Sequence, residues 1–104
     1  MKTGIELIAI ERQRQIEGEG WTAKHDDQHE TGEIALAAAC YAIPVNRRGV
    51  FDSSRGLIEW LWPWDAEWWK PARSSRSRIK ELVKAGALIA AEIDRLQRRA
   101  TNKP

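Results

Sequence analysis

The sequence predicts an all-α fold: a small bundle of about three main helices, with an irregular Trp-rich insertion between the second and third. Three observations carry this reading. Within residues 78–96, Ile79, Leu82, Val83, Gly86, Ile89, Ala90, Ile93 and Leu96 recur at spacings of three and four, the mark of one helical face. Ile34–Ile43 is an unbroken apolar run dominated by Ala. Thr3-Gly-Ile-Glu6 has the spacing of a capping box, a helix start in which the first and fourth residues bond to each other's backbone.

The first helix should run over Gly4–Glu17, with Ile5, Ile8, Ala9 and Ile16 on its apolar stripe. Arg12 interrupts that stripe, and Glu11, Arg12, Gln13, Arg14 and Gln15 make its second half strongly polar. Gly18 and Gly20 end it. Trp21 opens a polar loop, and Asp27 or Thr31 is a natural N-cap for the second helix, which Pro44 stops. The third helix is apolar nearly all round through its middle turns, so it needs cover on several sides. Gly86 costs roughly 1 kcal/mol there relative to Ala, which implies a second backbone close by. Ile34–Ile43 is the expected partner, with the axes near the short end of about 8–10 Å.

Residues 45–77 form the irregular part. Arg47-Arg48-Gly49 reads as a turn, and Leu57–Trp62 as a short helix or an extended segment. Pro63 and Pro71 bracket a helical turn that Asp65 could cap. Ser74, Ser75 and Ser77 supply caps for the third helix, and residues 100–104 read as a frayed tail. Five of the six Trp residues fall between Trp60 and Trp69. These rings either close the open end of a bundle, burying about 150–250 Å² each, or form an aromatic wall for a base or a partner surface.

At 104 residues the chain is one small domain with a thin core, so association into a homo-oligomer is expected. No run reaches the roughly 18 apolar residues of a membrane span. The opening MKTGIELIAIER lacks the apolar core of a secretory signal. The single Cys40 lies inside the Ala run and reads as a buried, inert thiol. A cytoplasmic location is the expectation. Net charge is +2 but uneven. Residues 1–33 carry eight acids and four bases, giving −4; residues 34–104 carry seven acids and thirteen bases, giving +6. Such asymmetry suits an anionic ligand or a complementary subunit. DNA binding is disfavoured by the low net charge and the lack of a helix-turn-helix pattern.

The densest polar cluster is His25, Asp26, Asp27, His29, Glu30 and Glu33. Its spacing fits no standard zinc pattern. Glu30 and Glu33, one helical turn apart, would suit Mg²⁺ holding a substrate phosphate; alternatively they are helix-start carboxylates favoured by the macrodipole. On the third helix, Glu81 and Glu92 stand three turns apart with Ala85 and Leu88 between them. Carboxylates on so apolar a helix either pair with Arg residues or face a site. Lys84, one turn from Glu81, reads as its solvated ion-pair partner.

ERQRQ at 11–15, GWTAKHDD at 20–27, GEIALAAACYA at 32–42, WPWDAEWWKP at 62–71 and ELVKAGALIAAEIDRL at 81–96 resemble a family of small phage and prophage proteins. The order of elements is in turn similar to MazG-like all-α nucleotide pyrophosphohydrolases, whose ExxE and ExxD motifs bind Mg²⁺. The resemblance implies that Glu30 and Glu33 match ExxE and that Glu81 opens ExxD. The last position of that motif is Lys84 here, which cannot ligate a metal but can hold a phosphate as a point charge.

These readings lead to a phage-encoded, non-catalytic nucleotide-binding protein that sequesters a nucleotide signal of host defence and requires no cofactor. Its ligand, a nucleotide or another phosphate-bearing small molecule, would be held by Trp21, His25, Trp64, Trp68, Trp69, Arg73 and Lys84. One alternative is a Mg²⁺-dependent nucleoside triphosphate pyrophosphohydrolase with the metal on Glu30, Glu33 and Glu81. Another is a Trp-rich module that docks on a host protein, since Trp and Arg dominate interface hot spots.

Overall fold

The computed structural model describes residues 1–49, 56–72, 74 and 77–102. They form five α-helices and no strand: α1 (Gly4–Gly18), α2 (Ala23–Asp26), α3 (Glu33–Ala42), α4 (Leu57–Leu61) and α5 (Arg78–Asn102). Two single 3₁₀ turns, Val45–Arg47 and Ala66–Trp68, punctuate the segment between α3 and α5.

α1 starts at the capping box the sequence predicts. The Thr3 N–H donates to Glu6 at 2.9 Å and the Glu6 N–H donates to the Thr3 hydroxyl at 3.2 Å. α3 starts later than expected. Its N-cap is Gly32, held at φ 87°, a left-handed conformation that is costly for residues with a Cβ. Neither Asp27 nor Thr31 caps it. Asp27 instead accepts from Arg98 at 2.7 Å, and the Thr31 N–H donates to Glu33 at 2.7 Å. Leu57–Leu61 is helical, and Asp65 precedes the 3₁₀ turn without a side-chain cap bond. α5 runs through Asn102, so Ala100 and Thr101 continue the helix. Ser75, among the expected caps of α5, lies outside the described residues.

The core is the α3–α5 contact: Ile34, Ala37, Ala38 and Tyr41 against Ala85, Leu88 and Ala91, with Trp21, Trp62, Trp64 and Trp69 packed on it. The expected pairing of the two Ala-rich helices is present, but Gly86 is not its close-approach point. A Cβ on Gly86 would meet Ile8 Cδ1 at 2.5 Å, so the notch receives α1. The expected stripe of α5 is also not its buried face. Ile79, Leu82, Ile89, Ile93 and Leu96 are each about half exposed or more, from 47% to 63%. Buried instead are Glu81, Ala85, Ala87, Leu88, Ala91, Glu92 and Arg95.

The same inversion holds for α1. Ile5 and Ala9 are exposed, whereas Gln15 is fully buried. Arg12 does not interrupt the packed face but belongs to it. Its guanidinium donates to the buried Asp26 at 3.0 Å and to the Trp21 carbonyl at 3.4 Å, tying α1 to α2.

Candidate functional site

Two arginines and one carboxylate anchor the Trp segment to the core. Orphan carbonyls at the C-terminus of α3 require donors, and cations there are favoured by the helix dipole. Arg48 donates to the carbonyls of Ile43 (3.0 Å) and Tyr41 (3.2 Å). Arg78 donates to those of Tyr41 (2.7 Å) and Ala42. Glu81 closes the hub, accepting from Arg48 at 2.8 Å, Arg78 at 3.1 Å and the Ala72 N–H at 2.8 Å. Burial pushes the Glu81 carboxyl up, but Arg48, the Ala72 N–H and Arg78 together hold it below the usual range.

On that base the aromatic side chains form one continuous row. Trp21 stacks on His25 at 6.2 Å between ring centroids, His25 meets His29 at 5.1 Å, and His29 meets Trp64 at 5.2 Å. Trp64 then meets Trp62 at 5.5 Å, which touches Tyr41 at 5.8 Å and Trp69 at 5.1 Å. The Lys70 N–H donates to the Tyr41 hydroxyl at 3.2 Å, which pins the Trp loop to α3. Trp64 Nε1 is buried and has no hydrogen-bond partner among the described residues.

The row lines a cleft of about 600 Å³, the size of a small-molecule site. Trp21, His25, His29, Tyr41, Trp62, Trp64 and Trp68 form its aromatic surface, with Ile34 and Leu88 beside them. Arg14, Lys70 and Lys84 line it as cations and Glu19, Asp26 and Asp65 as acids, of which Glu19 is held by Arg14 and Asp26 by Arg12. A second hollow of about 670 Å³ adjoins it and shares Arg14, Tyr41, Lys70 and Lys84. The cations therefore sit where the two meet.

Those cations are not equivalent. Arg14 is already held by Glu11 at 2.6 Å and Glu19 at 3.0 Å. Lys70 reaches over the exposed Trp68 ring at 5.8 Å. Lys84 is half-buried and lies over the Tyr41 ring at 4.8 Å. It is not the solvated partner of Glu81, and no carboxylate among the described residues lies within 4.0 Å of its ammonium. Burial pulls its pKa down, and Glu11 only partly restores it.

Of the residues expected to hold a ligand, the cleft brings together Trp21, His25, Trp64, Trp68 and Lys84. Trp69 stands behind the wall, against Tyr41 at 4.7 Å and beneath Arg48. Arg73 lies outside the described residues. The ligand set expected from sequence left out Arg14, His29, Tyr41, Trp62 and Lys70, although His29 stood in the polar cluster and Trp62 in the Trp segment already singled out. For α1 the available signal concerned its packed face: Ile8, Glu11, Arg12 and Gln15 share the i, i+3, i+4, i+7 spacing, which leaves Arg14 on a different side.

The carboxylates matched to a metal do not converge. Glu30 lies exposed in the turn before α3, so it shares no helical face with Glu33. Glu33 is occupied by Thr31 and His29, and its pKa is lowered to about 2, chiefly by the Thr31 hydroxyl. Glu81 is enclosed by two arginines. Among the described residues no three His, Cys, Asp or Glu side chains are grouped to hold a metal ion. Cys40 is buried, and desolvation raises its pKa to about 11, which disfavours the reactive thiolate. No helix among the described residues is long and apolar enough to cross a membrane.

The chain matches no family model, no curated protein and no solved structure. Geometry and chemistry therefore carry the functional reading.

Proposed function

We propose that the protein binds a nucleotide-like anion in the aromatic cleft and holds it intact. The observation that carries this reading is Lys84, a half-buried cation without a carboxylate partner among the described residues, set in the wall of an aromatic cavity. Burying an ammonium is unfavourable unless it is paired; Glu11 and Glu19 act on Lys84 only without direct contact, and a phosphate entering the cleft would supply a direct partner. Trp faces stack on any nucleobase, so the rings would take the base while Lys84 and Lys70 take the phosphates.

The reading requires no metal. Mg²⁺ belongs to the hydrolase alternative, whose proposed carboxylates do not fit the ion in this arrangement. If the gene is carried by a phage, as the sequence resemblance implies, retention without turnover would serve to sequester a nucleotide signal of host defence.

Lys84→Met tests the reading, because it keeps the aliphatic stem and removes the charge. A charge-assisted bond is worth about 1.5–3 kcal/mol, so affinity for a nucleoside triphosphate should fall at least tenfold while affinity for the matching nucleoside stays unchanged. In the wild type, binding should weaken as pH rises through the lowered pKa of Lys84, because only its charged form attracts the phosphate. The Lys84→Met protein should lose that dependence. Equal affinity of both proteins for the triphosphate would remove Lys84 from the site.

A further inference from the structure

Among the described residues, five large aliphatic side chains of α5 stand exposed on a face turned from the cleft, on either side of the Gly86 notch that Ile8 of α1 fills. Ile79 (63% exposed), Leu82 (47%), Ile89 (49%), Ile93 (51%) and Leu96 (47%) follow one another at spacings of three, seven, four and three, with Gly86 inside the seven-residue step. This is the a/d pattern of a coiled-coil seam. No charged residue interrupts it. With 3.6 residues per turn, Lys84 and Leu88, which face the cleft, stand roughly 140° around the helix from the middle of the stripe.

From this stripe we infer that two copies of the chain pair through α5, stripe against stripe, leaving both clefts open. Surface area supports a second copy as the occupant. A folded monomer of 11.9 kDa should expose about 5,900 Å², whereas this chain exposes 7378 Å². The excess of about 1,400 Å² is spread over the whole chain, and the five half-exposed side chains of the stripe contribute to it; a standard stable interface takes ~800 Å² from each partner. Shape agrees: the molecule measures 47 × 38 × 20 Å, a slab one helix layer short of a bundle. A contact made by the same patch on both subunits is isologous and closes at two copies. An all-aliphatic seam meets its own copy without like-charge repulsion.

Sedimentation of the purified full chain provides the test. The wild type should run at twice the chain mass at micromolar concentration, and its Tm should rise with concentration, as mass action requires of a dimer. The double variant Ile89→Asp/Ile93→Asp alters only exposed positions, so it should keep the helical circular dichroism signal and run as a single chain. A wild type that remains a single chain with a concentration-independent Tm would overturn the inference. So would a folded double variant that still pairs. Should the double variant lose its helical signal, Ile89→Ser replaces it, with the same two outcomes.

Discussion

Glu81 shows how one residue type can suggest two opposite roles. On an apolar helix it invites a metal-ligand reading, yet it serves as the counter-ion of two arginines that cap α3. Its side chain is only 3% exposed, so Glu81→Gln would leave Arg48 and Arg78 facing the carbonyls without a balancing charge. Breaking a buried pair from one side costs about 3 kcal/mol, and chemical denaturation at neutral pH should show a loss of that size. The pH dependence follows from the lowered pKa. The Glu81 contribution is fully present above roughly pH 4.3, the ordinary Glu value, and is lost as pH falls through the folded-state pKa below it. Wild type and Glu81→Gln should therefore differ most near neutrality and converge in acid. A constant gap down to low pH would assign the loss to packing instead.

At the scale of elements, helix existence was legible in the sequence and helix orientation was not. The capping box, the Ala run and the three-four periodicity each placed a helix correctly. Face assignment failed because it assumed that the largest aliphatic residues turn inward. Here α3 and α5 approach through Ala37, Ala38, Ala85 and Ala91, and small residues leave no room for the Ile stripe between them. Polar side chains at helical spacing on α1 and α5 mark the inward faces, since their partners lie on other segments that a one-dimensional pattern does not bring together. The notch at Gly86 follows the same logic. Gly86→Ala gains about 1 kcal/mol of helix propensity, but overpacking against Ile8 costs about 1–3 kcal/mol. The single variant should be destabilised, and in an Ile8→Ala background the same substitution should become stabilising. Additive effects in that double-mutant cycle would mean that Ile8 does not occupy the notch.

For the whole molecule, the Trp cluster resolves into two populations. Trp62, Trp64 and Trp69 pack on the core, while Trp60 and Trp68 are 54% and 53% exposed. Closing the bundle and walling a cleft are thus done by neighbouring rings of one segment. Five rings in ten residues were visible in the sequence as a feature; their division was not, because it depends on where Tyr41 and Lys70 fasten the loop. The slab arranges its two unpaired features on different sides of α5, the cationic aromatic cleft on one and the aliphatic stripe on another. They come nearest at Ile79, which lines the second hollow together with Lys84.

The central claim concerns the cleft: it retains a phosphate-bearing aromatic ligand without metal and without turnover. Calorimetric titration with nucleoside triphosphates and cyclic and linear dinucleotides, in chelator and then in Mg²⁺, with mass analysis of the recovered ligand, addresses it most directly. The account predicts saturable binding in chelator and recovery of the ligand intact. Binding that appears only with Mg²⁺ and releases pyrophosphate would contradict it, as would no binding to any member of the panel, an outcome that would favour a protein partner for the exposed Trp surface.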